Sequence, residues 1–521
     1  MPKDLFPSIK SGFFIALIAM PLCLGIAIAS QFPPIAGILT AIVGGLIVSL
    51  VGGCELSIKG PAAGLIVIMM GAVSELGAGD IAVGYQKCLA VGVVAACLQI
   101  IFALLKTARF GRLMPPSVIH GMLAAIGVII IAKQIHILVG AIPHGHSTIE
   151  LIAEIPNSII AINPELAFIG IFTVICLVAL PMIPSRTLKP VPPALLALMV
   201  VVPLGLLWHL DVPHAYRWLD SSFEVGPKFL VNIPDNILNS LIFPDFSALT
   251  NPIAYKYVLM MALVGSIESV LTVIAVDSLA NSKKKSDLNR DLLGIGIGNL
   301  ICSFIGGLPM ISEVVRSKAN IDNGAKNRWS NFFHGAFLLI AIVWAAPLIR
   351  EIPLAALAAM LIVTGMRLAS PSMFFKTYKI GSDQLAIFLT TLSITLMSDL
   401  LLGVVAGLSL KLAFHVYRGV KMSYLVSVPI KYLSTDSETN LIINGPAVFS
   451  NYFSVQKHIY DVIATNKKVV VDFSEATLVD HTTLSCLYSL LDELGDDKLA
   501  FTGLDKLRPI SEHNLSTHKL A

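Results

Sequence analysis

Long apolar stretches recur along most of the chain and are separated by short polar segments. Seven stretches precede a polar region at 211–251, and seven follow it. The first seven cover residues 9–30, 35–51, a shorter run from Pro61, 85–105, 116–139, 164–183 and 192–210. The second seven cover residues 253–280, 288–305, a shorter run from Met310, 332–349, 353–368, 384–396 and 400–417. Most are near the ~20 residues that a transmembrane helix needs, so the pattern predicts a fourteen-span α-helical polytopic membrane protein.

An odd number of spans in each set inverts the second half of the chain relative to the first. The third stretch of each set is interrupted, because residues 56–64 read LSIKGPAAG and residues 306–316 read GGLPMISEVVR. Irregular backbone is tolerated at membrane depth only where protein or a water-filled cavity satisfies it. Two interruptions in corresponding places are typical of a transporter's substrate site. We therefore expect a 7+7 inverted repeat, about 1–211 and 252–420, with two half-helices.

Composition and loop charge agree with this prediction. A mean hydropathy of +0.81, with 55% hydrophobic and 13% charged residues, lies outside the range of soluble domains. Basic residues cluster in alternate loops, near 106–112, 186–189, 283–290, 318–328 and 367–379, and acidic residues lie in the opposing loops. The positive-inside rule then predicts a cytoplasmic N-terminus and, after an even number of spans, a cytoplasmic C-terminus. We expect a plasma-membrane (inner-membrane) protein whose first span is not cleaved.

The composition changes after the last apolar stretch. Strand patterns occupy residues 441–443, 468–473 and 499–501, and helical spacing occupies 455–465 and 482–494. Strands that alternate with helices predict a small α/β domain. We therefore expect a membrane domain over residues 1–424 and a cytoplasmic α/β domain over residues 425–521.

The two interruptions offer an anion site that needs no dedicated cation. Helix N-termini present unpaired N–H groups and the positive end of the helix dipole. Two half-helices that meet tip to tip near the membrane midplane would form one pocket, with Ile311 beside it. The candidate donors are the backbone amides of Ala62, Ala63, Gly64, Ser312, Glu313 and Val314. The structural alternative is a pair of Pro/Gly kinks in packed helices.

Glu268 lies in an otherwise apolar span and is the candidate coupling residue. A carboxylate there costs about 2.5–3.5 kcal/mol on insertion scales, so it should face a cavity or a partner. Thr272 lies one turn later on the same face and can supply a neutral oxygen. The two side chains suit a hard monovalent cation such as Na⁺, whereas the carboxylate alone suits a proton relay. The alternative is a structural hydrogen bond between helices.

Three further charges lie at the interruptions. Glu313 and Arg316 are one helical turn apart, which suits an intrahelical ion pair or, for Glu313, a role in coupling. Arg316 either raises the local positive potential or anchors the inner end of its segment. Lys59 can snorkel, pair with Glu313 or Glu268, or attract the anion.

No pattern typical of an enzyme is present in the sequence. His144 and His146 lie in a predicted outer loop, and the seven cysteines contain no C-x-x-C pair. The Gly-rich residues 294–298 lie within a span, where small residues pack helices together. We expect no catalytic residue, no metal or cofactor apart from a possible coupling Na⁺, and no nucleic-acid partner.

These motifs resemble the sulfate-permease (SulP) family of inorganic anion transporters. The resemblance in the membrane part lies in residues 60–61 (GP), 268–272 (ESVLT), 306–309 (GGLP) and 316–320 (RSKAN). The terminal region is similar to the family's STAS domain at residues 445–449 (GPAVF), 471–474 (VDFS) and 479–483 (VDHTT). The resemblance implies core and gate domains, an anion held between spans three and ten, and transport by an elevator-like motion. We also expect a homodimer in the lipid bilayer.

In sodium-coupled bicarbonate members of the family, an acidic residue and a hydroxyl one turn later form part of the sodium site, and these positions match Glu268 and Thr272. Many members have small residues where this chain has Ile311–Glu313, and Ser or Thr in place of Lys59. In STAS-type regulators the position of Thr482 can be phosphorylated, and the alternative here is a hydrogen-bonding role at the helix start.

The leading functional hypothesis is a secondary active transporter that moves bicarbonate or sulfate inward with Na⁺ or H⁺. The alternatives are an uncoupled anion exchanger or channel-like anion binder, an anion sensor that acts through the terminal domain, and a nucleobase permease of related fold. Glu268 favours coupling, because a passive anion path gains nothing from a carboxylate beside it. Ile311 and Ala62–Ala63 offer little to match the edge of a base.

Overall fold

The computed structural model describes residues 5–520 except 142, 144, 146, 184–190, 219–220, 235–239, 281–284 and 436. The helices of the first half are α1 (Leu5–Ala29), α2 (Pro34–Val43), α3 (Ser49–Val51), α4 (Ile66–Gly77), α5 (Ile81–Leu104), α6 (Pro116–Leu138), α7 (Thr148–Ile160), α8 (Pro164–Ala179) and α9 (Pro193–Leu207). Those of the second half are α10 (Pro252–Leu279), α11 (Leu288–Ile305), α12 (Val314–Asp322), α13 (Trp329–Trp344), α14 (Ala346–Arg350), α15 (Leu354–Leu368), α16 (Pro371–Ile380), α17 (Ser382–Met397) and α18 (Leu400–Tyr417). A π-helical turn, Gly44–Val48, joins α2 to α3, and a 3₁₀ turn, Ala63–Leu65, precedes α4.

The helical, fourteen-span fold predicted from the apolar stretches is confirmed. Each predicted stretch corresponds to a helix, or to helices joined end to end, within the described residues. By length and composition, eight helices in this part of the chain are able to cross a membrane, and four more are shorter apolar helices. Elements of the described residues without a predicted counterpart include α7, α16 and a hairpin formed by β2 (His214–Trp218) and β3 (Ser221–Val225).

Helix boundaries follow local signals in the sequence. The Asp80 side chain accepts hydrogen bonds from Ala82 N and Val83 N at the start of α5. Asn251 caps α10 in the same way, directly before Pro252. Side-chain acceptors satisfy amides that have no partner inside the helix, and Pro at the first helical position lacks the N–H altogether.

Residues 1–111 and 126–368 form one compact unit, which contains both interrupted segments. Its apolar core includes Leu24 from α1, Ile38 from α2, Leu338 from α13 and Leu357 from α15, all almost fully buried. Gly37 allows α2 to approach α1 closely, because a Cβ at that position would overlap the Cys23 carbonyl. Small residues at such crossings are typical of helices packed in membranes.

Residues 112–125 and 369–521 form the second compact unit. Its strands are β5 (Ile430–Ser434), β6 (Glu438–Ile443), β7 (Gly445–Ala447), β8 (Lys468–Asp472), β9 (Ala476–Val479), β10 (Leu499–Thr502), β11 (Arg508–Pro509) and β12 (His518–Lys519), and its terminal helices are α19 (Tyr452–Ile463) and α20 (His481–Leu494). They form two four-stranded sheets, of order β10-β8-β6-β5 and β11-β12-β9-β7. Alternate residues of β6 and β8 are buried, as in strands that cover a core on one face. The strands and helices predicted for the terminal region overlap β6, β8, β10, α19 and α20.

Candidate anion and coupling-ion site

The two interruptions form short strands that pair with each other. Strand β1 (Ile58–Pro61) runs antiparallel to β4 (Met310–Glu313), with Ile58 opposite Glu313 and Pro61 opposite Met310. Each half-helix begins directly after its strand, so the two starts lie at opposite ends of the pair, about 10 Å apart along the strands. The half-helices therefore approach each other through their strands and not tip to tip. This pairing satisfies backbone groups that a break in a membrane helix would leave free.

Polar side chains from neighbouring helices bind the rest of the irregular backbone. Asn299 accepts a hydrogen bond from Met310 N at 2.6 Å and donates to Met310 O at 3.2 Å. Thr40 accepts from Leu308 N at 2.7 Å and donates to Leu308 O at 3.0 Å. The Tyr85 hydroxyl donates to Gly306 O at 2.6 Å. The second interruption is thus held in a fixed, hydrogen-bonded conformation inside the unit.

The predicted anion-binding amides lie around the two strand ends. Ala62 N donates to Pro309 O at 3.4 Å, and Ser312 N donates to Ser269 Oγ at 3.4 Å. Gly64 and Val314 lie in first helical turns, whose N–H groups have no intrahelical acceptor. The other members of the predicted set are Ala63, at the start of the 3₁₀ turn, Ile311, buried opposite Gly60, and Glu313, the residue before α12.

Glu268 lies in the middle of α10 and is only 9% exposed. Neither of its carboxylate oxygens has a hydrogen-bond partner among the residues that the structure describes. An alanine Cβ at Gly64 would overlap both oxygens, so the carboxylate lies directly against the start of the first half-helix. Thr272, one turn along α10, is buried as well. A buried carboxylate without a protein partner is costly, and a cation or a proton can neutralise it.

Glu313 and Arg316 form no ion pair with each other within the described residues. The Arg316 guanidinium is buried and reaches across to the first interruption, where it donates to Pro61 O at 3.4 Å and to Cys23 Sγ at 3.5 Å. The Glu313 Oε1 atom is buried without a hydrogen-bond partner among the described residues. Arg316 therefore connects the second interruption to the first.

Lys59 pairs with Asp291, which is not one of its predicted partners. Its ammonium lies 3.0 Å from Asp291 Oδ1, and the two side chains are 0% and 2% exposed. It also donates to Cys54 O at 3.1 Å. Asp291 in turn accepts from Ser312 Oγ at 3.1 Å. Among the described residues, Asp291 neutralises the Lys59 ammonium. The expected pairing of Lys59 with Glu268 or Glu313 is therefore not observed there.

Three residues that hold the two interruptions, Asp291, Asn299 and Thr40, were not predicted as site residues from the sequence. Asp291 is an acidic residue inside a predicted span, which is the same signal that singled out Glu268. Asn299 and Thr40 were harder to identify, because a neutral polar side chain in a span is common and its partner is fixed only by the three-dimensional fold. Both bind backbone groups within the second interruption, Asn299 at Met310 and Thr40 at Leu308.

Two interrupted spans that pair at the centre of an inverted repeat define a multi-pass integral membrane protein built as a transporter. Residues 5–391 match the sequence profile of the Sulfate permease family, and the chain belongs to that family. The resemblance stated from the motifs of the membrane part is therefore confirmed.

Three comparisons place the chain within the family. YvdB of Bacillus subtilis (strain 168) is 24% identical over 476 residues, which cover 90% of this chain and 84% of that protein. The bicarbonate transporter BicA of Picosynechococcus sp. (strain ATCC 27264 / PCC 7002 / PR-6) is 26% identical over 446 residues, 84% of this chain and 74% of that protein. The solved transmembrane domain of a cyanobacterium bicarbonate transporter BicA superposes with a TM-score of 0.65 at 26% identity, covering 78% of this chain and 98% of that domain.

Proposed function

We propose that the protein is a secondary active transporter of a small inorganic oxyanion, bicarbonate or sulfate, coupled to Na⁺ or H⁺. The family's name and the names of its relatives support an oxyanion as substrate. The chain carries the anion inward across the plasma membrane, with both termini in the cytoplasm, as a homodimer and by an elevator-like motion. The terminal region, residues 425–521, acts as a STAS-like domain.

The observation that carries the proposal is the unpaired carboxylate of Glu268 against the start of the first half-helix. An anion at that helix start would be repelled by Glu268 unless a cation or a proton lay between them. The anion and the cation or proton then each bind more tightly when the other is bound, and this coupling links their transport. Thr272 supplies a neutral oxygen for a metal cation and has no part in a purely proton-coupled cycle.

We assign the anion subsite to the region between the two half-helix starts, beside Ile311. The candidate donors are the backbone amides of Ala62, Ala63 and Gly64 at one start and of Ser312, Glu313 and Val314 at the other, and the anion would replace the present acceptors of Ala62 N and Ser312 N, which are Pro309 O and Ser269 Oγ. Glu268 and Thr272, with Glu313 as a second carboxylate, hold the coupling ion. Lys59 and Arg316 are the nearby positive charges, of which Arg316 lies over the first interruption.

The test is uptake of radiolabelled bicarbonate and of radiolabelled sulfate into proteoliposomes, each with and without imposed Na⁺ and pH gradients. We expect a gradient to accelerate uptake in the wild type. Glu268→Gln mimics a permanently neutral site and should keep anion exchange while losing that acceleration. The coupling free energy is about 1–3 kcal/mol, so the coupling ion should raise the anion affinity of the wild type about 5- to 150-fold and leave that of Glu268→Gln unchanged.

Thr272→Val separates the two coupling ions, because it should weaken a response to Na⁺ and spare a response to H⁺. Thr364→Val is the matched control, since the Thr364 hydroxyl donates to Met360 O within its own helix and is bound to no other described residue. Full gradient-driven accumulation in Glu268→Gln would contradict the assigned role. Exchange without any gradient effect in the wild type would favour the uncoupled exchanger.

A further inference from the structure

A polar cavity of about 480 Å³ lies in the second compact unit, lined by the end of α18 and by the terminal strands β11 and β12. Its volume is within the ~300–1,000 Å³ that is usual for a small-molecule site. Three of the lining residues are cationic, Arg418, Arg508 and Lys519, and Asp383 is the one carboxylate among the described residues that line it. The two interruptions belong to the other compact unit, so this cavity is separate from the proposed transport site.

Two of the cations lie opposite each other on paired strands. Arg508 of β11 is the register partner of Lys519 of β12 in an antiparallel pair, so the two side chains project from the same face of the sheet. Neither side chain forms an ion pair within the described part of the chain. Like charges that are directly opposite destabilise a strand pair. An anion between the two side chains would remove that repulsion.

The third cation, Arg418, is already paired with the carboxylate of the cavity. Its Nη2 atom lies 3.0 Å from Asp383 Oδ2, and the two side chains are 14% and 6% exposed. The Asp383 carboxylate also accepts from Gln384 N at 2.9 Å and from Gln384 Nε2 at 3.1 Å. Protein donors therefore bind this carboxylate, and the two positive charges of Arg508 and Lys519 remain for a ligand.

Aromatic side chains line the cavity on the side of α18. Phe414 and Tyr417, from the last turn of that helix, are both lining residues, and the Arg418 guanidinium lies 5.6 Å from the centre of the Phe414 ring. By length and composition, α18 is able to cross a membrane. Aromatic rings followed directly by basic side chains at the end of such a helix are typical of the membrane–water interface, where they meet anionic lipid headgroups.

We propose that this cavity binds a phosphate group between Arg508 and Lys519, supplied either by the headgroup of an anionic membrane phospholipid or by phosphate in solution. The guanidinium of Arg508 can donate two parallel hydrogen bonds to phosphate oxygens, and the ammonium of Lys519 acts as a point charge. The bound group cancels the repulsion across β11 and β12. Because the folded chain binds the group and the unfolded chain does not, binding stabilises the protein.

The experiment measures the midpoint of thermal unfolding of the full chain, purified in neutral detergent and phosphate-free buffer. The proteins compared are the wild type, Arg508→Gln, Lys519→Gln and the double variant. Lys506→Gln is the matched control, because Lys506 is exposed and lies two residues before Arg508 but does not line the cavity. The probes are inorganic phosphate against sodium chloride of equal ionic strength, and micelles containing phosphatidylglycerol against micelles containing only phosphatidylcholine.

Without a probe, we expect the double variant to unfold at the same temperature as the wild type or at a higher one, because it removes the like-charge pair. A lost response to phosphate is then not a folding defect. Each single substitution should raise the probe concentration needed for stabilisation about fivefold, since one basic side chain near a membrane surface contributes about that factor. The control should respond like the wild type.

The two sources of phosphate give different results. Stabilisation by phosphatidylglycerol micelles alone identifies a lipid headgroup as the ligand, and stabilisation by inorganic phosphate identifies a phosphate from solution. An equal response of the wild type and the double variant to both probes would overturn the proposal, because phosphate would then bind elsewhere. A wild type that responds to neither probe, or a control as impaired as Arg508→Gln, would overturn it as well.

Discussion

At the scale of single residues, the buried charges of the site fall into two kinds. Lys59 and Asp291 satisfy each other, whereas neither Glu268 oxygen has a partner in the described part of the chain. Replacing one member of a buried pair leaves the other charge without compensation, which is more costly than replacing both. The first kind of charge therefore stabilises the frame, and the second is available to an ion.

We expect Lys59→Met and Asp291→Asn each to destabilise the protein by about 3–5 kcal/mol, lowering its melting temperature by about 5–10 °C. The double variant should recover most of that loss, because it buries no net charge and the introduced amide oxygen can still accept from Ser312 Oγ. Melting of the detergent-purified protein, followed by size-exclusion chromatography, measures both. Glu55→Gln is the control, since the Glu55–Arg328 pair is partly exposed and such pairs contribute little. A double variant no more stable than the single ones would contradict this account.

At the scale of elements, hydropathy predicted the spans because each must bury a long apolar surface in lipid, and that requirement is local. The strands β1 and β4 could not be predicted in the same way. Each is four residues long and contains Gly, Pro or polar residues, and each is stabilised by a partner about 250 residues away in the chain. Long-range pairing leaves no periodic signal in a single sequence.

The candidate site shows the same division between local and long-range information. Gly-Pro interruptions and a carboxylate in an apolar span marked Ala62–Gly64, Glu313 and Glu268 from the sequence alone. The direction of the Arg316 side chain was not predictable, because helical spacing favoured a pair with Glu313. Packing directs Arg316 toward Pro61 instead.

Close approach of an anion to the first half-helix requires a small side chain at its start. Ala63→Phe should therefore weaken anion binding and uptake while the protein still folds. Loss of one hydrogen bond to a charged group costs about 1.5–3 kcal/mol, which is about ten- to hundredfold in affinity. Ala82→Phe is the matched control, because Ala82 lies exposed in the first turn of α5. Normal transport with unchanged affinity in Ala63→Phe would place the anion elsewhere.

At the scale of the whole molecule, the second unit contains a buried cluster that links the last membrane helix to the terminal α/β region. Lys411 Nζ lies 3.1 Å from Asp480 Oδ2 and donates to Thr482 Oγ1, and His415 Nε2 lies 3.3 Å from the same carboxylate. Burial alone would raise the pKa of Asp480, but Lys411 and His415 beside it hold that pKa below its usual range. A lowered pKa means that this stabilisation is present above the unfolded value, about 3.9, and is lost as the pH falls through the acid range.

Variants of this cluster test whether the terminal region affects stability without affecting which anion is transported. Asp480→Asn leaves Lys411 buried without its carboxylate, and we expect it to lower the melting temperature by about 5–10 °C. Lys411→Met combined with Asp480→Asn should recover part of that loss.

Deletion of residues 431–521 removes the contact altogether and should lower expression, dimer formation or transport rate, measured by fluorescence, light scattering and uptake. The ratio of bicarbonate to sulfate uptake should stay the same in all three variants, because the proposed subsite lies wholly in the other compact unit. A change of preferred anion on deletion would mean that the terminal region takes part in selecting it.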